Sequence, residues 1–188
     1  MDAQDLPKRS SNSQTPTVLD PEPQPYRVLG VDPGLRITGY GVIERSDDKP
    51  LVREAGIIRS ADGRSTADMA ERLKSLYTSL VEVVEQFSPK VMAVEQLYAH
   101  YKHPRTAILM GHARGVLLLA GAQHNVPIVS YSATQIKKRI TGNGRASKEQ
   151  VQLTIQRELS LTKVPEPPDV ADALAAALCQ FYEQKIHA

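Results

Sequence analysis

Four residues, Pro33 to Arg36, separate two strand-like runs, "RVLGVD" and "ITGYGVIE". So short a link favours antiparallel neighbours over a parallel crossover. The first run is apolar at Val28, Leu29 and Val31, as a central buried strand is, yet it ends in Asp32 and breaks at Pro33-Gly34. "LVREAGIIRS" supplies a third strand. From Ser65 onward the period changes. Met69, Leu73, Leu76, Tyr77, Leu80, Val84 and Phe87 recur at three and four, the spacing of an amphipathic helix, opened by a capping-box-like Ser65/Asp68 and stopped by Pro89.

A fourth strand, "KVMAVEQ", again closes on an acid, Glu95. An apolar helix over 105–124 and a short strand, "VPIVS", come next. Two helices open with Ser-x-x-Gln at Ser132/Gln135 and Ser147/Gln150, and a last helix follows "PEPP", whose prolines suit a first turn. The order predicts an α/β domain with a mixed sheet, its fourth strand parallel to the first and third. Asp32 and Glu95 then both lie at carboxyl ends of parallel strands, where open α/β sheets bind ligands.

Composition narrows the classes. Residues 1–25 carry five prolines and a polar "SSNSQTPT", too little apolar surface to offset ordering, and are read as a disordered tail before a single domain over 26–188. No apolar run follows Lys8-Arg9, so the tail is not a secretory signal. It holds four of the 21 acidic residues and two of the 23 basic ones, leaving the domain at a formal +4, a weak pointer to a polyanionic partner. "TAILMGHARGVLLLAGA" carries His112 and Arg114 near its middle, which argues for a core helix rather than a membrane span. The single cysteine, Cys179, reads as a packing residue, and a reducing cytoplasm fits.

Two further acids, Asp169 and Asp172, sit in "PPDVADALAAAL" at i, i+3 spacing, on one face at the amino end of a helix. An N-cap explains one of them without function, and the alanines around them mark a helix pressed closely against something. Asp-Pro-Gly explains Asp32 as a turn equally well, although Gly39 and Gly41 leave one face of the second strand bare for a bulky neighbour. If the four acids converge, their mutual repulsion is about 4 kcal/mol per pair at ~4 Å, tolerable only with bound cations. All-oxygen ligation favours Mg²⁺ or Mn²⁺, and two such ions flanking a phosphate suit phosphodiester hydrolysis.

Basic residues concentrate in two loops. Lys102 and Arg105 interleave with Tyr98 and Tyr101 in "EQLYAHYKHPR", a pattern suited to a nucleic-acid backbone with an unstacked base. Lys137 precedes "GNGRASK", which itself carries Arg145 and Lys148; the segment lacks P-loop spacing but opens a helix whose amides can meet phosphate. A solvated loop is the plain alternative for each.

Together "LGVDPGLRITGYGVI", "VMAVEQLY", "GHARGVLLLA", "ATQIKKRITGNGRASKEQV" and "DVADALAAAL" resemble the RuvC family of Holliday-junction resolvases, over residues 27 to 183. The resemblance implies an RNase H-like fold, a five-stranded sheet of order 3-2-1-4-5 with the second strand antiparallel. It implies a homodimer that nicks two opposed strands of a four-way DNA junction with two Mg²⁺ ions per site, Mn²⁺ substituting, in recombination and repair beside the RuvA-RuvB branch-migration proteins. Asp32, Glu95, Asp169 and Asp172 match the family's catalytic acids, Lys137 and Lys148 match positions that contact DNA near the cut, and Tyr98 matches an aromatic at the junction centre. The chain departs from the pattern at Tyr98, where Phe is usual, and in "HYKHPR". Two other classes fit parts of the sequence: an actin-like ATPase or sugar kinase, which needs a second half, and a non-catalytic junction binder, which would lack one of the acids.

Overall fold

A computed structural model describes residues 25–60, 69–97 and 104–187. There the chain runs β1 (Arg27–Asp32), β2 (Ile37–Ser46), β3 (Lys49–Arg59), α1 (Met69–Phe87), β4 (Val91–Glu95), α2 (Pro104–Gln123), β5 (Ile128–Tyr131), α3 (Ala133–Thr141), α4 (Lys148–Glu158) and α5 (Pro168–His187). The strands form one sheet in the order β3-β2-β1-β4-β5, with β2 antiparallel to β1 and β3, and β4 parallel to β1 and β5. This is the mixed sheet that the element order implies. The proposed tail and the Ser65/Asp68 cap lie outside the described residues, Pro25 excepted.

Side chains alternate across a strand, so each face of the sheet has its own core. Leu29, Val31, Met92 and Val94 point to α1 and α2 and pack with Leu76, Leu80, Leu117 and Ala120. Val28, Val91 and Ala93 point the other way, into a layer built by α3, α4 and α5 with Ile155, Leu174, Leu178 and Phe181. Continuing the alternation by one step puts Asp32 and Glu95 on the α5 face.

What lets α5 come so close is missing side-chain volume. A Cβ on Gly30 would lie 2.0 Å from the Ala173 carbonyl oxygen, and one on Gly39 would lie 2.0 Å from that of Asp169. On Gly41 it would lie 2.6 Å from Leu174 Cδ2. The bulky neighbour that the bare strand face anticipates is therefore α5 itself, whose alanines 171, 173, 175, 176 and 177 are buried against the sheet.

α2 departs from expectation. It reads as a core helix, yet only one side is buried, through Ala113, Leu117 and Ala120. Ile108 and Leu119 on the other side are 61% and 50% exposed. A Cβ on Gly111 or Gly115 would meet nothing within 4 Å, so neither glycine serves packing on the sheet; Gly121 does, facing Met92 and Ile128. Cys179 is buried, as a packing residue should be.

Candidate active site

β1 delivers Asp32 and β4, its parallel neighbour, delivers Glu95, while α5 begins at Pro168 and brings Asp169 and Asp172 in its first two turns. Because Pro168 is already helical, Asp169 sits inside the first turn rather than at the N-cap. Asp32 pairs with Gly39 across the β1–β2 ladder, and Gly39 lies directly under the Asp169 carbonyl. One glycine thus fixes how two acids from different elements approach each other.

The four carboxylates act on one another. Burial and then the charges of Glu95, Asp172 and Asp169 push the Asp32 carboxyl up to about 7, with Lys148 opposing. Glu95 is raised by burial and by Asp172, against Lys148 and Lys137. The acids stand within electrostatic reach of one another but form no cage. Among the described residues no three His, Cys, Asp or Glu side chains stand close enough together to hold an ion. One of the charges is answered within the chain: Lys148 Nζ donates to Asp172 Oδ2 at 2.9 Å. The donor set is all oxygen, partly buried and short of positive charge, which fits a hard divalent cation such as Mg²⁺.

A recess of about 180 Å³ beside the acids is lined by Glu95, Ala133, Ile136, Lys137, Lys148, Val151, Asp172 and Ala175. The caps that shape it are those read from the sequence. Ser132 and Ser147 each accept from the backbone N–H of a glutamine three residues on, while that glutamine's side chain accepts from the serine's own N–H. The second cap makes Lys148 the first residue of α4, aimed at α5. Arg145 is exposed, its backbone N–H on Asn143 Oδ1, and Arg105 is exposed beside Arg36, Arg72 and Asp169 at a cavity of about 640 Å³. Tyr98 and Lys102 lie outside the described residues. Arg139, in the basic "KKR" run, is committed to an ion pair with Glu183.

Arg114 was read only as an obstacle to membrane insertion. It instead reaches from α2 to the Glu95 carbonyl oxygen at 3.5 Å and to Ser130 Oγ at 2.8 Å, tying the end of β4 to β5. A basic residue in the middle of an apolar helix was the available signal.

Raised carboxyl groups make the metal-free chain pH-sensitive. Asp32 binds its proton more tightly when folded than when unfolded, so its contribution is fully present below about pH 4 and is lost as pH rises through 7. The limiting slope is about 1.4 kcal/mol per pH unit, and Glu95 adds in the same direction. Thermal unfolding in chelator is expected to show Tm falling from pH 5 to pH 8, with Asp32→Asn flattening the fall and Mg²⁺ opposing it. A Tm that rises over this range in chelator contradicts the repulsive cluster.

Comparison with known proteins agrees with this architecture. The family model "Crossover junction endodeoxyribonuclease RuvC" matches residues 28–180. A protein of that name from Rhodopirellula baltica is 51% identical over 155 residues, 82% of this chain and 85% of its own length. One from Pelotomaculum thermopropionicum is 45% identical over 82% of this chain and 92% of its own. Among solved structures, Thermus thermophilus RuvC in complex with Holliday junction substrate superposes with a TM-score of 0.76 at 31% identity, covering 85% of this chain and 96% of that one. The yeast mitochondrial resolvase Ydc2, at 18% identity and a TM-score of 0.56, shares the fold. With an RNase H-like sheet, acids gathered at its centre and relatives this similar along almost all of the domain, the chain belongs to the RuvC family of crossover junction endodeoxyribonucleases.

Proposed function

We propose that the chain resolves Holliday junctions, nicking two opposed strands of a four-way DNA junction by phosphodiester hydrolysis. The observation that carries this is the approach of Glu95, Asp169 and Asp172 to Asp32 on one face of the sheet, the three together raising its carboxyl. Asp32, Glu95, Asp169 and Asp172 would hold two Mg²⁺ ions, or Mn²⁺ in their place, and the bound ions would supply charge stabilisation to the phosphate oxygens. Asp32 lies at the centre of the group, Glu95 and Asp172 flank it, and Asp169 closes the side toward Arg105. Lys137 and Lys148 line the recess assigned to the cut strand's phosphates, and Arg105, Arg145, Tyr98 and Lys102 are assigned further contacts to the DNA.

Two cuts placed symmetrically call for two sites related by a two-fold axis. The outward side of α2, with Ile108, Gly111, Gly115 and Leu119 exposed along it, is the surface assigned to a second copy. Gly115→Arg is expected to leave a monomer by light scattering that still binds a junction but no longer pairs its nicks; an unchanged dimer places the interface elsewhere. The work belongs to DNA recombination and repair in the cytoplasm, beside the RuvA-RuvB proteins. No helix among the described residues is long and apolar enough to cross a membrane.

The deciding experiment incubates the purified chain with a synthetic four-way junction and with linear duplex of the same sequence, in Mg²⁺ and in chelator. Paired nicks in the junction alone, only with Mg²⁺, are expected. Equal cutting of duplex, or cutting in chelator, overturns the reading.

A further inference from the structure

Lys148 occupies a position that a simple DNA contact does not explain. Its ammonium bonds Asp172 Oδ2 at 2.9 Å, so in the metal-free chain it is engaged by one of the acids. The arrangement is built: the Ser147/Gln150 capping box fixes where α4 begins, and Lys148 is its first residue. Its side chain remains 53% exposed and that of Asp172 is 29% exposed, so the four-carbon stem is free to swing outward. The carboxylates meanwhile remain too far apart to hold an ion. A divalent cation and an ammonium on the same carboxylate oxygen repel strongly at such range, so one must leave when the other arrives.

We propose that Lys148 is the resident counter-cation of the site, holding Asp172 until a divalent ion replaces it, and that the displaced ammonium then takes a phosphate of the junction strand. This rests on the divalent-metal reading above. The exchange makes metal loading and junction binding favour each other, because each removes Lys148 from Asp172, and such coupling is reciprocal. Lys137 is the natural comparison, since it lines the same recess and acts through space on Glu95.

The test titrates Mn²⁺ into the free protein, followed by electron paramagnetic resonance, for the parent chain, Lys148→Met and Lys137→Met. Loss of the resident cation is expected to tighten Mn²⁺ binding about tenfold in Lys148→Met, and by less than about threefold in Lys137→Met. The salt dependence of junction binding supplies a second readout. The parent's log–log slope is expected to be steeper in Ca²⁺ than in chelator by about one unit, one more phosphate contact, and Lys148→Met should erase the difference. Mn²⁺ binding unchanged in Lys148→Met, or tightened equally in both variants, overturns the exchange while leaving the metal reading intact. A parent chain that takes up no Mn²⁺ with or without junction removes the metal reading and the exchange with it.

Discussion

Asp32→Asn is expected to cut a four-way junction roughly 10³-fold more slowly than the parent chain, or worse, while binding it almost as tightly. Several kcal/mol of transition-state stabilisation corresponds to a factor of that size. Asparagine keeps the shape, so pairing with Gly39 and packing on the α5 face survive. It loses the anionic oxygen at the centre of the cluster, and with it the repulsion from Glu95, Asp169 and Asp172. The variant should therefore be more stable than the parent in chelator above pH 7, even as it stops cutting. Gel-shift, cleavage and melting measurements on one preparation check all three signs together. Cutting at a normal rate refutes the assignment of Asp32 as a metal ligand.

The second large effect is on folding. Gly30→Ala puts a methyl 2.0 Å from the Ala173 carbonyl oxygen and 2.7 Å from the Ala177 amide nitrogen, both helix backbone that no rotamer change can move. Overpacking costs about 1–3 kcal/mol in ordinary cores and more where backbone must shift, so a loss of about 3 kcal/mol in urea unfolding is expected. Gly41→Ala meets Leu174 Cδ2 instead, the end of a side chain that can turn away, and should cost clearly less. A Gly30→Ala loss under about 1 kcal/mol means that α5 is not seated on this floor.

Much of this was legible in the residues because the physics is local. Apolar runs closed by an acid or a break and three-and-four spacing supplied the element order, and both Ser-x-x-Gln caps form where the sequence has them. Asp32 and Glu95 were identifiable because each ends an apolar strand. What covers Gly39 and Gly41 was not legible, since a bare strand face announces a close neighbour without naming it. Nor was the outer side of α2, where residues apolar all round give periodicity no direction to report. Lys148 was legible as a phosphate-facing cation at a helix start and, through the resemblance, as a DNA contact near the cut; its choice of Asp172 depends on how α4 meets α5, which no spacing encodes.

The seating of α5 has a consequence for the moment of synthesis. Translation delivers Asp32 and Glu95 early, yet any chain stopped before Pro168 lacks both remaining acids and leaves Val28, Ile43 and Ala93 without their cover. A partly translated chain is thus a sheet with one apolar face uncovered and two of the four acids in place.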